Sequence, residues 1–187
     1  MLISELLAVY RKNAAAAQCS VPAGSMLSKT SGEILEMVTC YAGDAKVFFD
    51  HGDLVNAFAA SAYGFGWLDA GAYLGYVSAD ETPRILLEKE FPLELREKLE
   101  EKTLRYQRML TEALAAVSPS PDAECGIYAE VQKIRSEAEK GLAEGSAYLP
   151  DDYVNALVEF SYGYGWLDCG VRSGLFSIHG NRHLFTI

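Results

Sequence analysis

"YGFGWLDAG", Tyr63–Gly71, and "YGYGWLDCG", Tyr162–Gly170, are nearly the same nine residues, set 99 positions apart in one chain. A Trp and an acid fixed among glycines at two places mean either a duplicated structural joint or a duplicated binding site. Aligning Asp53–Tyr76 with Asp152–Leu175 gives 12 identities in 24 positions, including Asp53/Asp152, Asn56/Asn155, Tyr63/Tyr162, Trp67/Trp166 and Asp69/Asp168. This is an internal duplication, and a repeat decides the fold before any single element does. Upstream, "GEILEMVTCYAGDA" is expected to lie over "GIYAEVQKIRSEA" at an offset of 93, with "SAYLPD" as a six-residue insertion in the second copy.

Each copy reads as three helices. Ile3, Leu7, Tyr10, Ala14 and Ala17 recur at helical spacing, with Ser4 as an early cap, and "SVPAGS" ends that run. Thr30 and Glu33 have capping-box spacing ahead of the apolar stripe Ile34, Met37, Val38, Tyr41, Ala45 and Phe48. Asp53 and Asp152 follow loops and stand where the third helices should begin, as N-caps. Asn56 and Asn155, three residues on, can bond back to those caps. Between the copies, "LELREKLEEKTLRYQRML" reads as a solvated charged helix with Glu94–Lys98 and Glu101–Arg105 pairs. The end, "LFSIHGNRHLFTI", has Gly180–Asn181 between two β-prone runs and predicts a small hairpin. "YVSADETPRILL" is its weaker counterpart after the first copy. The expected architecture is all-α: duplicated three-helix units in a six-helix bundle with a small C-terminal β-hairpin. The expected division is 1–80 for the first repeat, 81–92 for a linker and 93–187 for the second repeat with the hairpin.

The third helix of each copy is apolar almost all round, which marks it as central and buried. Four glycines between Gly64 and Gly75 cost a helix roughly 2–4 kcal/mol relative to alanine, so something must approach closely there. The Ala57, Gly64, Gly71 and Gly75 stripe is expected to let the two signature helices cross as a pseudo-symmetric pair. A small-molecule or peptide groove lined by Tyr63, Trp67, Tyr162 and Trp166 is the alternative. Asp69 and Asp168 sit mid-helix on a mostly apolar face, and a buried carboxylate needs a partner. Arg172 is available at i+4 in the second copy only; a Trp indole or Tyr hydroxyl from the other copy would serve both. Two acids brought together could instead bind a cation or share a proton. Candidate binding or interface residues are therefore Asn56, Tyr63, Trp67, Asp69, Asn155, Tyr162, Trp166 and Asp168.

The net charge of −10 and a pI near 4.8 argue against a general nucleic-acid or membrane-surface binder, which needs a basic face. No apolar run reaches the length of a membrane span. Cys19, Cys40, Cys125 and Cys169 are widely separated and form no CxxC pair, so they read as incidental thiols in a reducing, cytoplasmic setting.

With "GDLVNAFAASAYGFGWLDAGAYLG" and "DDYVNALVEFSYGYGWLDCGVRSGLF" in view, the chain resembles two tandem copies of domain of unknown function 357. The resemblance covers the second and third helices of each copy well and the first helices loosely. It implies an archaeal, cytoplasmic helical bundle, with no catalytic residues or cofactor to carry over. "AYLPDD" departs from the tight "G-D" turn of the pattern in the second copy.

Three functional classes compete. No nucleophile–base set or metal box is evident, so a non-enzymatic binding or scaffold module fits first, with no cofactor and with a protein, a peptide or a second copy as partner. A helical RNA-processing or RNA-binding enzyme is the alternative, because Arg172 and His179 are similar in spacing to the Arg-x(4–6)-His motif of helical ribonucleases. Third, His179 and His183 would approach one another across a hairpin, although two exposed histidines are the simpler reading and no metal site is expected.

Overall fold

The helical spacing and the duplicated signature become six helices in two matched sets. The computed structural model describes residues 1–80, 82–88 and 91–186. The first repeat runs α1 (Ile3–Ala16), β1 (Gln18–Cys19), α2 (Ser28–Asp50), α3 (Leu54–Tyr73) and β2 (Val77–Ser78). The second runs α4 (Arg96–Ala115), β3 (Val117–Pro119), α5 (Tyr128–Tyr148), α6 (Tyr153–Arg172) and β4 (Phe176–Ile178). Within each repeat the two strands pair antiparallel: Gln18 faces Ser78, and Ser118 faces Ser177. The small β element expected at the C-terminus is present. Its partner strand is β3, and Gly180–Asn181 leads the chain into a short 3-10 turn at Arg182–Leu184.

The upstream alignment needs correction. Ile34 packs beside Gly71 and Ile134 packs beside Gly170, so α2 and α5 correspond at an offset of 100. The second copy is thus one residue shorter before its third helix, and there is no six-residue insertion. The physical reason is periodicity: an error of seven residues is two helical turns, which leaves an apolar stripe in phase.

Asp53 and Asp152 cap α3 and α6, accepting hydrogen bonds from the backbone N–H of Asn56 at 3.2 Å and of Asn155 at 3.0 Å. Each Asn amide also donates to the cap carboxylate itself, at 2.6 and 2.8 Å, which is a side-chain variant of the expected box. The other two expected caps differ. α1 starts at Ile3, with the Leu2 N–H donating to the Glu5 carboxylate at 2.8 Å. α2 starts at Ser28, before Thr30, and Glu33 is engaged by Arg172 across the repeats.

α3 and α6 form the centre, and one apolar cluster runs through both repeats. They cross at Gly66 and Gly165. A Cβ at Gly66 would lie 2.2 Å from the Tyr162 carbonyl oxygen, and one at Gly165 would lie 2.2 Å from that of Tyr63. Only glycine permits this approach. The predicted crossing is therefore right and the predicted stripe is wrong. Gly64 meets the Tyr10 ring of α1, Gly71 meets Ile34 of α2, and Gly75 lies past the helix end at φ +75°. A helix apolar on every side does not say which face meets which neighbour.

Candidate functional site

The crossing places each signature Tyr against the acid of the other repeat. Tyr63 Oη donates to Asp168 Oδ2, and Tyr162 Oη donates to Asp69 Oδ2 at 2.6 Å. The two bonds are related by the pseudo-twofold of the repeat. Asp168, 1% exposed, also accepts the Thr186 backbone N–H at 3.0 Å, while the half-buried Asp69 accepts the Thr82 hydroxyl at 2.5 Å. Burial raises the Asp168 carboxyl above the ordinary range, while the Tyr63 and Thr186 bonds pull it down. Tyr63 and Tyr162 are both raised, by burial first and then by the facing carboxylate. A Tyr hydroxyl across the repeat interface is one of the partners expected for these acids. Arg172 is not the partner of Asp168: it forms a two-point pair with Glu33 of the first repeat, at 3.0 and 2.9 Å.

Trp67 and Trp166 are buried, and neither indole Nε1 has a hydrogen-bond acceptor among the described residues. They pack beside the Tyr–Asp pairs, with ring centroids 6.4 Å from Tyr63 and from Tyr162. Their contribution there is apolar bulk. The Arg172–His179 spacing is not assembled into a pair: Arg172 is held by Glu33, and His179 Nε2 lies 2.5 Å from Ser118 Oγ. Among the described residues no group of three or more His, Cys, Asp or Glu could hold a metal ion.

Asn56 and Asn155 occupy equivalent places and have different partners. Asn155 is buried and clamps the backbone of Leu87, accepting its N–H at 2.8 Å and donating to its carbonyl at 3.0 Å. The segment 82–88 is thereby laid across the second repeat. Asn56 instead accepts a hydrogen bond from Lys102 Nζ, and Lys98 reaches the Asp53 carboxylate at 2.7 Å. The N-terminal turns of α4 therefore lean on the first repeat and are not wholly solvated, and Lys98 pairs with Asp53 in place of Glu94.

A cleft of about 320 Å³ lies at the junction of the repeats, between α2 and α3 of the first and α4, α6 and the C-terminal segment of the second. Tyr41, Tyr63, Tyr106 and Tyr164 line it, with Lys102 at one end and Asp44 at the rim. The rings form a continuous run: Tyr41 to Tyr63 is 4.6 Å between centroids, Tyr63 to Tyr164 is 6.1 Å, and Tyr164 to Tyr106 is 6.4 Å. Lys102 Nζ lies 4.9 Å from the Tyr106 centroid. Burial, then the nearby Arg105, lower the Lys102 ammonium to about 8, and burial raises the Tyr41 hydroxyl to about 12. None of Tyr41, Lys102, Tyr106 and Tyr164 is among the candidate binding residues of the sequence, where Tyr41 figures only in an apolar stripe. One signal was available: Leu99, Lys102, Tyr106 and Met109 share helical spacing, so Lys102 sits on the inward stripe of α4.

Fold and site together define a duplicated three-helix repeat protein locked by reciprocal Tyr–Asp pairs. The chain belongs to the family described as protein of unknown function (DUF357), whose model matches residues 7–77 and again residues 105–176. Comparison with curated proteins and with solved structures yields no match.

Proposed function

We propose that this is a non-enzymatic binding module whose ligand site is the tyrosine-lined cleft between the two repeats. The observation that carries the reading is the run of four tyrosines that lines this cleft beside the buried Lys102. The equivalent hollow of the second repeat, about 390 Å³, is walled by the 82–85 segment, Lys140, Glu144, Val158 and Glu159, with Tyr162 as the one tyrosine on its lining. Ligand sites are concave, aromatic-rich and supplied with a few polar groups, and this cleft has each of those features. Its volume of about 320 Å³ suits a small molecule better than a peptide.

In this reading the signature residues Tyr63, Asp69, Tyr162 and Asp168 are the joint that holds the two repeats in register, with Tyr63 doubling as a wall of the cleft. The net charge of −10 supports a cytoplasmic protein that does not bind nucleic acids generally. No helix among the described residues is long and apolar enough to cross a membrane. The archaeal setting rests on the family resemblance alone.

The test is protein-observed NMR with benzoate, benzyl alcohol and benzylamine titrated separately. The reading expects at least one of the three to shift resonances concentrated on Tyr41, Tyr106, Tyr164 and Thr186. Absence of such clustering with all three removes the cleft as a ligand site.

A further inference from the structure

We propose that the cleft selects small organic anions, a flat ring carrying one carboxylate or phosphate group, with Lys102 as the residue that reads the charge. The inference rests on the cleft being the ligand site and deepens it by naming the ligand class.

Three observations converge. Lys102 is only 9% exposed, yet its one hydrogen-bond partner among the described residues is the neutral Asn56 amide oxygen. No carboxylate of the described residues forms an ion pair with it, while the neighbouring Lys98 is paired with Asp53 and Arg105 with Glu101. An ammonium has three donors, so two remain for a ligand. A buried charge without a counter-ion is unfavourable unless paired, and a bound anion would supply the missing partner.

The rest of the cleft fits the body of such a molecule. Tyr41, Tyr106 and Tyr164 line it with aromatic rings, and Met109 and Phe48 add apolar surface. Aromatic walls of this kind favour a planar ring, in offset or edge-on packing. The single acid on the lining, Asp44, is exposed at the rim, so it repels an anion only weakly across water. An organic cation is the opposite expectation, since tyrosine faces also attract cations. Here Lys102 already occupies the face of Tyr106, and a second cation beside it would be repelled.

The experiment is calorimetric titration at pH 7 and low salt with benzoate, phenyl phosphate, benzyl alcohol and benzylamine, on the full chain and on Lys102→Met. The wild type should bind benzoate or phenyl phosphate at least about tenfold more tightly than benzyl alcohol, and benzylamine most weakly. Lys102→Met should lose that preference while its thermal unfolding stays cooperative. Should the variant fail to fold, the wild-type ranking and its weakening at high salt still decide. Benzyl alcohol or benzylamine binding in the cleft as tightly as the anions overturns the anion preference and leaves the cleft as a site. Failure of all four probes to bind overturns both.

Discussion

Tyr63 and Asp168 stand 105 residues apart in the chain and share a buried hydrogen bond, and Tyr162 returns the same bond to Asp69 over 93 residues. Two carboxylates that looked isolated on apolar faces are each satisfied from the other repeat. Desolvation of Asp168 is offset first by paired donors, with the Arg172 charge a smaller contribution.

Tyr63→Phe and Asp168→Asn should each destabilise by about 1–3 kcal/mol, the range for a buried hydrogen bond to a charged group. The double variant should lose clearly less than the sum, because both changes act on the same Tyr63–Asp168 bond. Tyr162→Phe should cost less than Tyr63→Phe, since Asp69 is half-buried and keeps the Thr82 hydroxyl. Urea denaturation of the set checks this; strictly additive losses at Tyr63 and Asp168 would count against a direct bond.

Gly66→Ala and Gly165→Ala each force a Cβ to 2.2 Å from a backbone oxygen of the partner helix. Either should cost about 3 kcal/mol or prevent folding, because backbone cannot move aside as a flexible side chain can. Gly43→Ala is the control: it lies within α2 with nothing within 4 Å, and should gain about 0.5–1 kcal/mol. Thermal melts of the three variants give the comparison, and a harmless Gly66→Ala would refute the close crossing.

Asn155→Ala should loosen the 82–88 segment around Leu87, whose N–H and carbonyl both lose their partner, while Thr82 still bonds Asp69 and Met1 still bonds Leu86 and Glu88. Trypsin cleavage after the exposed Arg84 should accelerate severalfold, with a stability loss of about 2 kcal/mol from the unpaired backbone groups. Asn56→Ala should leave cleavage at Arg84 unchanged. Equal cleavage in both variants would mean the segment is held by something else.

Glu159, beside Thr82–Ile85, Lys140 and Glu144, has its carboxyl raised to about 7, first by burial and then by Glu144. A carboxyl raised in the folded state binds its proton more tightly there than in the unfolded chain. Its stabilising effect is therefore full below the unfolded value near 4.5 and fades as pH rises through about 7. Glu159→Gln should flatten the fall in stability between pH 4.5 and 7 and be the more stable protein at pH 8, by on the order of 1–3 kcal/mol. Denaturation midpoints at pH 5, 6, 7 and 8 for both proteins test the sign; parallel profiles would refute it.

Lys102 has the reverse linkage. An ammonium lowered to about 8 in the folded state opposes folding below that pH, and the opposition is relieved as pH rises from about 8 towards 10.5. The unliganded Lys102→Met protein should therefore be at least as stable as the parent at pH 7, despite the lost bond to Asn56. A marked loss at pH 7 would show that Lys102 is compensated in the free protein.

Much of this was legible in the residues. The 12 identities between Asp53–Tyr76 and Asp152–Leu175 announce the duplication, the two Asp caps start the third helices, and all-round apolarity makes those helices central. The sequence alignment sets α2 against α5 seven residues out of register because the apolar stripe they carry repeats every two turns. The cleft residues were hidden because Tyr41, Tyr106 and Lys102 lie on three-dimensional neighbours drawn from different repeats.

What the sequence by itself determined is local: period, caps, the repeat, and the presence of two carboxylates that required partners. Those properties depend on neighbours within a turn or two of helix. Only the tertiary structure decided that Gly66 and Gly165 carry the crossing, that each Tyr serves the opposite Asp, and that Asn56 and Asn155 part company. Such choices depend on which faces meet, and a helix apolar on all sides has no marked face until its neighbours pack against it.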